Sequence, residues 1–269
     1  NITYNLVGDL MKKFFQTLGI VIIFLFTFIF SERTTRVVKN LDNLMIEIKE
    51  NEEKLKTEPI EAIITGNEII PGKNGKEVDE IASYNVMKKV GLYDQKYIKY
   101  KTIEIKNNLE NNIDKIIING NNKNKEIAII ILLENNEKKL NIPNLSYFAD
   151  GQWIENNPDR LIDGITGYNF IYNSSTPWLA FEIKKERKRY FCLYTNKKSH
   201  DICRKNDLYT IKEEIISNNY LIEVKNKIKN GKIFIFKYNQ NIEKELELIS
   251  NYTNNKGYSI RNINDLLAE

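Results

Sequence analysis

Histidine, cysteine and carboxylate side chains carry most acid–base, nucleophilic and metal chemistry, and this chain of 269 residues holds one histidine, His200. Histidine is the commonest metal ligand and the usual base near neutral pH. A Ser-His-Asp triad, a two-histidine zinc site or a histidine relay is therefore excluded or must use that one residue. His200 lies in the polar stretch Asn196-Lys-Lys-Ser-His-Asp201, which reads as an exposed loop with a solvated imidazole. Cys192 and Cys203 lack the paired spacing of a zinc site and are read as buried or free thiols in preference to a disulfide formed outside the cell. Glu134 and Asp150 are the carboxylates that could join His200 in a metal site. No spacing supports that grouping, and each reads as a loop or turn residue.

The charge balance, 40 basic against 36 acidic residues for a formal +4, is spread along the chain, so nucleic acid is not an expected partner. The run KKERKR from Lys184 to Arg189 reads as a solvated face. Residues 14–30, FFQTLGIVIIFLFTFIF, form an apolar run of roughly 25 Å at ~1.5 Å per residue, near the lower limit for a bilayer span. Lys12 and Lys13 precede it, and the bulky Phe28-Ile29-Phe30 argues against a cleaved signal peptide. The expectation is an uncleaved signal anchor at the cell membrane with the main domain extracytoplasmic, although Arg33, Arg36 and Lys39 weaken the positive-inside bias.

These features divide the chain into an N-terminal cytoplasmic extension (1–13), a transmembrane anchor (14–30), a helical stalk (31–57), a small α+β module (58–122) and a main domain (123–269). In the stalk, Val37, Leu41, Leu44, Met45 and Ile48 recur at helical spacing. In the small module, β-rich runs alternate with a helix over 77–90, and Asn74-Gly75 predicts a tight primed turn. The main domain opens with Ile127–Leu133, apolar at every position as a strand buried on both faces is. Further strands are predicted at 145–149, 179–183, 190–194 and 232–237, with a helix over 242–255 and a returning strand over 258–261. Strand, helix, strand order predicts an α/β fold with right-handed crossovers.

Two segments resemble NodB-type polysaccharide deacetylases. Ser146-Tyr-Phe-Ala-Asp-Gly-Gln-Trp-Ile-Glu-Asn-Asn157 is similar to the family's second-strand signature with its following helix. Lys229–Lys237, KNGKIFIFK, with Glu245–Tyr258, ELELISNYTNNKGY, resembles the closing unit, and Ile263–Leu267 fits the start of the terminal helix. The apolar anchor and IIPGKNGKEV, Ile69–Val78, are similar to the front end of membrane-anchored members. The resemblance implies a distorted (β/α) barrel and, in the family, a divalent metal held by one aspartate and two histidines that activates water against an acetamide.

Carried over position by position, that site is degenerate. The family's paired aspartates, base then metal ligand, fall on Leu132 and Leu133. Its two metal histidines fall on Asn173 and Pro177, the arginine of its arginine-and-proline motif on Phe191, and the histidine of its late strand on Lys237. No catalytic residue, metal or cofactor is therefore expected. The resemblance also puts Trp153, Tyr168, Trp178 and Tyr194 in or near segments bordering a substrate groove, where aromatic faces could stack on sugar rings; packing in the core is the competing reading. The function this implies is a membrane-anchored, deacetylase-like pseudoenzyme of the cell envelope whose partners are the membrane and either cell-wall glycan or envelope proteins. A divergent N-deacetylase acting on peptidoglycan or a chitin-like polymer and a non-enzymatic envelope scaffold are the alternatives.

Overall fold

The computed structural model describes residues 14, 16–30, 40–134, 137–138, 140–157, 165–168, 190–212 and 214–269. In chain order the elements are α1 (residues 16–30), α2 (Asn43–Leu55), β1 (Ile63–Thr65), β2 (Glu68–Ile70), β3 (Gly75–Val78), α3 (Glu80–Val90), β4 (Tyr100–Ile103) and β5 (Ile116–Ile117). There follow β6 (Glu126–Leu133), β7 (Ser146–Ala149), α4 (Gly151–Asn156), β8 (Ile165–Tyr168), β9 (Phe191–Tyr194), α5 (Lys197–Lys205), β10 (Tyr209–Lys212) and β11 (Ile215–Ile216). The chain closes with α6 (Tyr220–Lys227), β12 (Ile233–Lys237), α7 (Ile242–Asn255), β13 (Ser259–Arg261) and α8 (Ile263–Leu266).

The chain divides into two units, residues 1–57 with 76–102, and residues 58–75 with 103–269. This division cuts through the expected 58–122 module. Its outer parts belong to the main sheet, because β5 pairs in parallel with both β2 and β10 and carries Ile117 into the core beside Ile69 and Leu109. Only 76–102 joins the segment expected as a stalk. There Met45, Ile48, Val78, Tyr84, Met87 and Ile98 form a separate small core, and Asp42 accepts from Tyr84 Oη at 2.9 Å and Lys88 Nζ at 2.6 Å. Lys88 and Tyr84 hold the Asp42 carboxyl below its ordinary range, together with the Leu44 amide that it caps.

The larger unit is built on one sheet, ordered β1-β2-β5-β10-β9-β8-β7-β6-β12-β11, with β13 also paired to β6. Every ladder in it is parallel except the β1–β2 hairpin. The continuous apolar run of β6 follows from its burial on both faces. Ile127, Ile129, Ile131 and Leu133 enter one layer with Trp153, Tyr220, Leu246 and Ile249. Ala128, Ile130 and Leu132 enter the other with Phe148, Phe191, Ile235 and Leu266. The order strand, helix, strand is thus legible in the sequence, while closure into the expected barrel is not shown: among the described residues no ladder joins β1 to β11.

Two glycines fix local geometry. Gly66, with φ +61°, takes the first central position of a two-residue turn between Thr65 and Glu68, a primed hairpin that needs positive φ there. The tight turn predicted at Asn74-Gly75 is thus at Gly66-Asn67, and Asn74 Oδ1 accepts instead from the Ile105 amide at 2.9 Å. Gly231 precedes β12 with φ +75°, and a Cβ there would lie 2.2 Å from the Gly120 carbonyl oxygen. Only glycine fits.

Among the described residues no helix is long and apolar enough to cross a membrane. α1 contributes residues 16–30, about 22 Å of helix against a hydrocarbon core of about 30 Å. Its apolar side chains are exposed on every side, from Leu18 at 42% to Phe30 at 73%, and Thr27 Oγ1 donates back to the Ile23 carbonyl at 2.8 Å.

Candidate functional site

Open parallel α/β sheets place their ligands beyond the C-terminal ends of the strands, so the chemistry available there decides what the chain can do. β6 ends in Leu132 and Leu133, both fully buried, facing opposite core layers. Leu132 stands in register with Phe148 on β7 and Lys237 on β12, and Leu133 with Ala149. One residue further, the Glu134 carboxylate meets the Lys237 ammonium at 3.1 Å, with side-chain exposures of 12% and 43%. The Glu134 amide donates to Glu137 Oε2 at 3.1 Å. An ion pair thus ties the ends of two neighbouring strands where the carry-over places a general acid.

Asp150 follows β7 and is 2% exposed. Its amide donates to the Leu133 carbonyl at 3.0 Å, and its Oδ1 accepts from the Trp153 amide at 2.8 Å, which caps α4. Burial pushes the Asp150 carboxyl above the usual carboxylate range; the Trp153 amide opposes this, while the charges of Glu134 and Glu137 add to it. The local sequence explains the geometry, because aspartate ahead of a glycine-led helix is a good N-cap. Trp153 is 1% exposed, packs in the helix-side layer and donates from Nε1 to the Glu137 carbonyl at 2.9 Å. It has no ring face to offer a sugar, and this corrects its expected place in a glycan groove.

Behind β12, Tyr220 is fully buried; its one hydroxyl proton has the Lys237 and Ser217 carbonyls as acceptors, and its oxygen accepts from Asn239 Nδ2. Burial is the first cause pushing its phenol up to about 12. Tyr220 is structural, holding the backbone of Lys237 in place. No periodicity in the sequence pointed to it.

Phe191 is fully buried on the Leu132 side of the sheet. Tyr194, the last residue of β9, is half-buried and lies edge-on to the His200 ring, with centroids 5.7 Å apart at 76°. Tyr168 ends β8; its side chain, with Trp178, Asn173, Pro177 and the predicted strand at 179–183, lies outside the described residues.

Two readings of the 190–205 region are overturned. His200 is on no exposed loop: Asn196 and Ser199 form a capping box that starts α5, and His200 on its inner face is 8% exposed with Nε2 buried and unpartnered. The residues that looked like a polar loop are a helix whose charged side chains face outward. Cys192 and Cys203, expected as thiols, form a disulfide between β9 and α5, with Cα atoms 6.1 Å apart and both residues fully buried.

A divalent metal does not fit this donor set. Leucine supplies no ligand at either aspartate position, Lys237 brings a positive charge to the late strand, and Asp150 spends its oxygen on a helix cap. Among the described residues no three His, Cys, Asp or Glu side chains converge as ligands, so Glu134, Asp150 and His200 do not assemble into one site.

No family model matches the sequence, and no curated protein does. Solved structures do. A mutant of BA3943, a CE4 family pseudoenzyme with restored enzymatic activity, is 21% identical, with 85% of this chain and 99% of that chain covered and a TM-score of 0.59. Wild-type BA3943, a CE4 family pseudoenzyme from Bacillus anthracis, is 20% identical over 85% of this chain and 96% of that chain, with a TM-score of 0.56. The likeness is one of fold: an α/β chain similar to the CE4 family, in agreement with the deacetylase resemblance in the sequence.

Proposed function

We propose that this chain, which has a CE4-like fold, is a catalytically silent deacetylase-like protein of the cell envelope that binds glycan or envelope proteins. One observation carries the proposal: the Lys237–Glu134 ion pair at 3.1 Å closes the ends of β6 and β12, where a deacetylase needs a proton donor beside a metal-activated water. Leucine at the positions that the resemblance gives to the base and the metal ligand supplies neither a proton acceptor nor a metal donor. The fold match to BA3943, itself a pseudoenzyme, supports the same reading.

Placement at a membrane is supported by α1, whose apolar side chains are exposed all round. A helix meant for a protein groove carries one apolar stripe. The buried disulfide supports an oxidising, extracytoplasmic compartment for the larger unit. Tyr194 is the glycan-stacking candidate that the structure leaves partly accessible; Tyr168 and Trp178 remain candidates by sequence position.

The full chain, purified in detergent, is incubated with N-acetylated chito-oligosaccharides and with peptidoglycan, with and without added zinc, cobalt or nickel. No acetate is expected above the protein-free control, while the chain sediments with insoluble peptidoglycan and Tyr194→Ala weakens that retention. Acetate release abolished by a chelator would replace this reading with that of a divergent N-deacetylase.

A further inference from the structure

The face of the sheet beneath α5 combines three features that no catalytic reading uses. Cys192 and Cys203 are joined there. His200 is one turn before Cys203 on the inner face of α5, and its Nε2 is buried without a hydrogen-bond partner. Thr210 on β10, fully buried, likewise has an unpartnered Oγ1. Thr210 stands in register with Cys192 in the parallel β9–β10 ladder, so the two side chains leave the sheet on the same face. That face is the one α5 covers, since Cys192 reaches Cys203 from it. The neighbours in sequence confirm the assignment: Phe191, Leu193 and Ile211 all enter the opposite layer.

The contact between α5 and the sheet is therefore poorly matched in polarity. A buried donor or acceptor that loses water and gains nothing is destabilising, and two such atoms, one on the nine-residue helix and one on the sheet, lie at this contact. Beside the packing of Cys203 in the core and the edge contact of His200 with Tyr194, a covalent bond ties the helix to the sheet. The rest of its inner face is small, Ser199 at 4% exposure and Cys203 itself, and Ser199 is committed to the capping box.

We propose that the Cys192–Cys203 disulfide is a redox-releasable clamp on α5. Oxidised, it keeps the unpartnered His200 Nε2 on the helix and Thr210 Oγ1 on the sheet buried; reduced, it lets the helix lift and water reach both. The chemistry balances with a dithiol as reductant: the Cys192–Cys203 bond takes up two electrons and two protons to give two thiols, and the dithiol becomes a disulfide. Because both sulfurs are buried, attack must wait for α5 to open, so reduction is slow and reports the opening. α5 follows directly from the C-terminal end of β9, so its release alters the edge carrying Tyr194, the accessible candidate for glycan contact.

Hydrogen exchange read by mass spectrometry on the full chain, oxidised and after dithiothreitol, tests this. Peptides covering α5 and β10 should lose protection on the order of a hundredfold on reduction, about what one short disulfide loop contributes, while α7 peptides keep theirs. Unchanged α5 protection in the reduced chain would overturn the proposal, as would two free thiols in the chain as purified under oxidising conditions. A double variant, His200→Leu with Thr210→Val, removes the polar mismatch and keeps the cysteines. In the reduced state it should recover at least tenfold of the lost protection. A reduced double variant as open as the reduced parent would show that the buried polar atoms are not what lifts the helix.

Discussion

Lys237 and Glu134 make the strongest quantitative test of how this strand edge is built. Two unit charges 3.1 Å apart attract by about 1.3 kcal/mol in bulk water and about 5 kcal/mol at an effective dielectric of 20. Exposed pairs are worth about 0.2–1 kcal/mol, and breaking fully buried ones costs about 3–5 kcal/mol. With side-chain exposures of 12% for Glu134 and 43% for Lys237, this pair lies between those limits. Lys237→Met, which keeps the alkyl stem, should cost about 2 kcal/mol, Glu134→Gln about 1–2 kcal/mol, and the double variant less than their sum by about 1–1.5 kcal/mol. Both tryptophans of the chain, Trp153 and Trp178, fall in the larger unit, so urea unfolding followed by tryptophan fluorescence reads that unit selectively. A coupling energy below about 0.3 kcal/mol would refute the reasoning, because it would mean that the two strand ends are not tied by charge. The edge would then be open to another cation.

Three further outcomes follow from the same structure. Trp153→Ala should destabilise the larger unit by about 3–5 kcal/mol, whereas Trp153→Phe, losing mainly the Nε1 hydrogen bond, should cost about 1–2 kcal/mol; if instead Trp153→Ala left urea unfolding unchanged and abolished peptidoglycan retention, its place in the core would be wrong. Glu214 is pulled down to about 2 by its hydrogen bonds to Lys227 and then Lys232. A carboxyl whose folded value lies below its unfolded one stabilises fully above about 4.5 and loses that contribution as pH falls toward 2. Its side chain is 48% exposed, so solvent screening reduces the contribution to about 1 kcal/mol, and the stability gap between the native chain and Glu214→Gln should be present at pH 6 and closed near pH 2; a gap that persists at pH 2 would reject it. Gly231→Ala, forced against the Gly120 carbonyl at positive φ, should destabilise by more than about 3 kcal/mol, and an unchanged melting temperature would contradict the turn geometry.

The parts of the fold legible in the sequence are those where one physical signal dominates. β6, β12, α7 and α3 are long runs of a single period, and each lies within a few residues of its expected bounds. The β1–β2 hairpin was read as part of one β-rich run, although Gly66-Asn67 between Ile63-Ile64-Thr65 and Glu68-Ile69-Ile70 is itself a two-residue turn signal. α5 was read as a loop because its exposed face carries Lys197, Lys198, Asp201 and Arg204, while its inner face offers only Ser199, His200 and Cys203, none of them a strong hydrophobic marker. The resemblance to deacetylases is what singled out Leu132, Leu133 and Lys237, and the structure places them together at the ends of β6 and β12. The ion pair beside them was not legible in the sequence. Glu134 and Lys237 are far apart in sequence, and only the parallel pairing of β12 with β6 brings the acid and the base together. The Cys192–Cys203 bridge was missed for the same reason, since it depends on α5 folding back over β9.

The central claim is that this CE4-like edge has exchanged a metal for an internal ion pair. Metal content measured by inductively coupled plasma mass spectrometry, on the full chain equilibrated with zinc, cobalt or nickel and then freed of loose ions, tests it most directly. The account predicts well under 0.1 equivalent of each metal, roughly the background left by surface carboxylates. One equivalent per chain, lost when Glu134 or Asp150 is replaced by its amide, would contradict it.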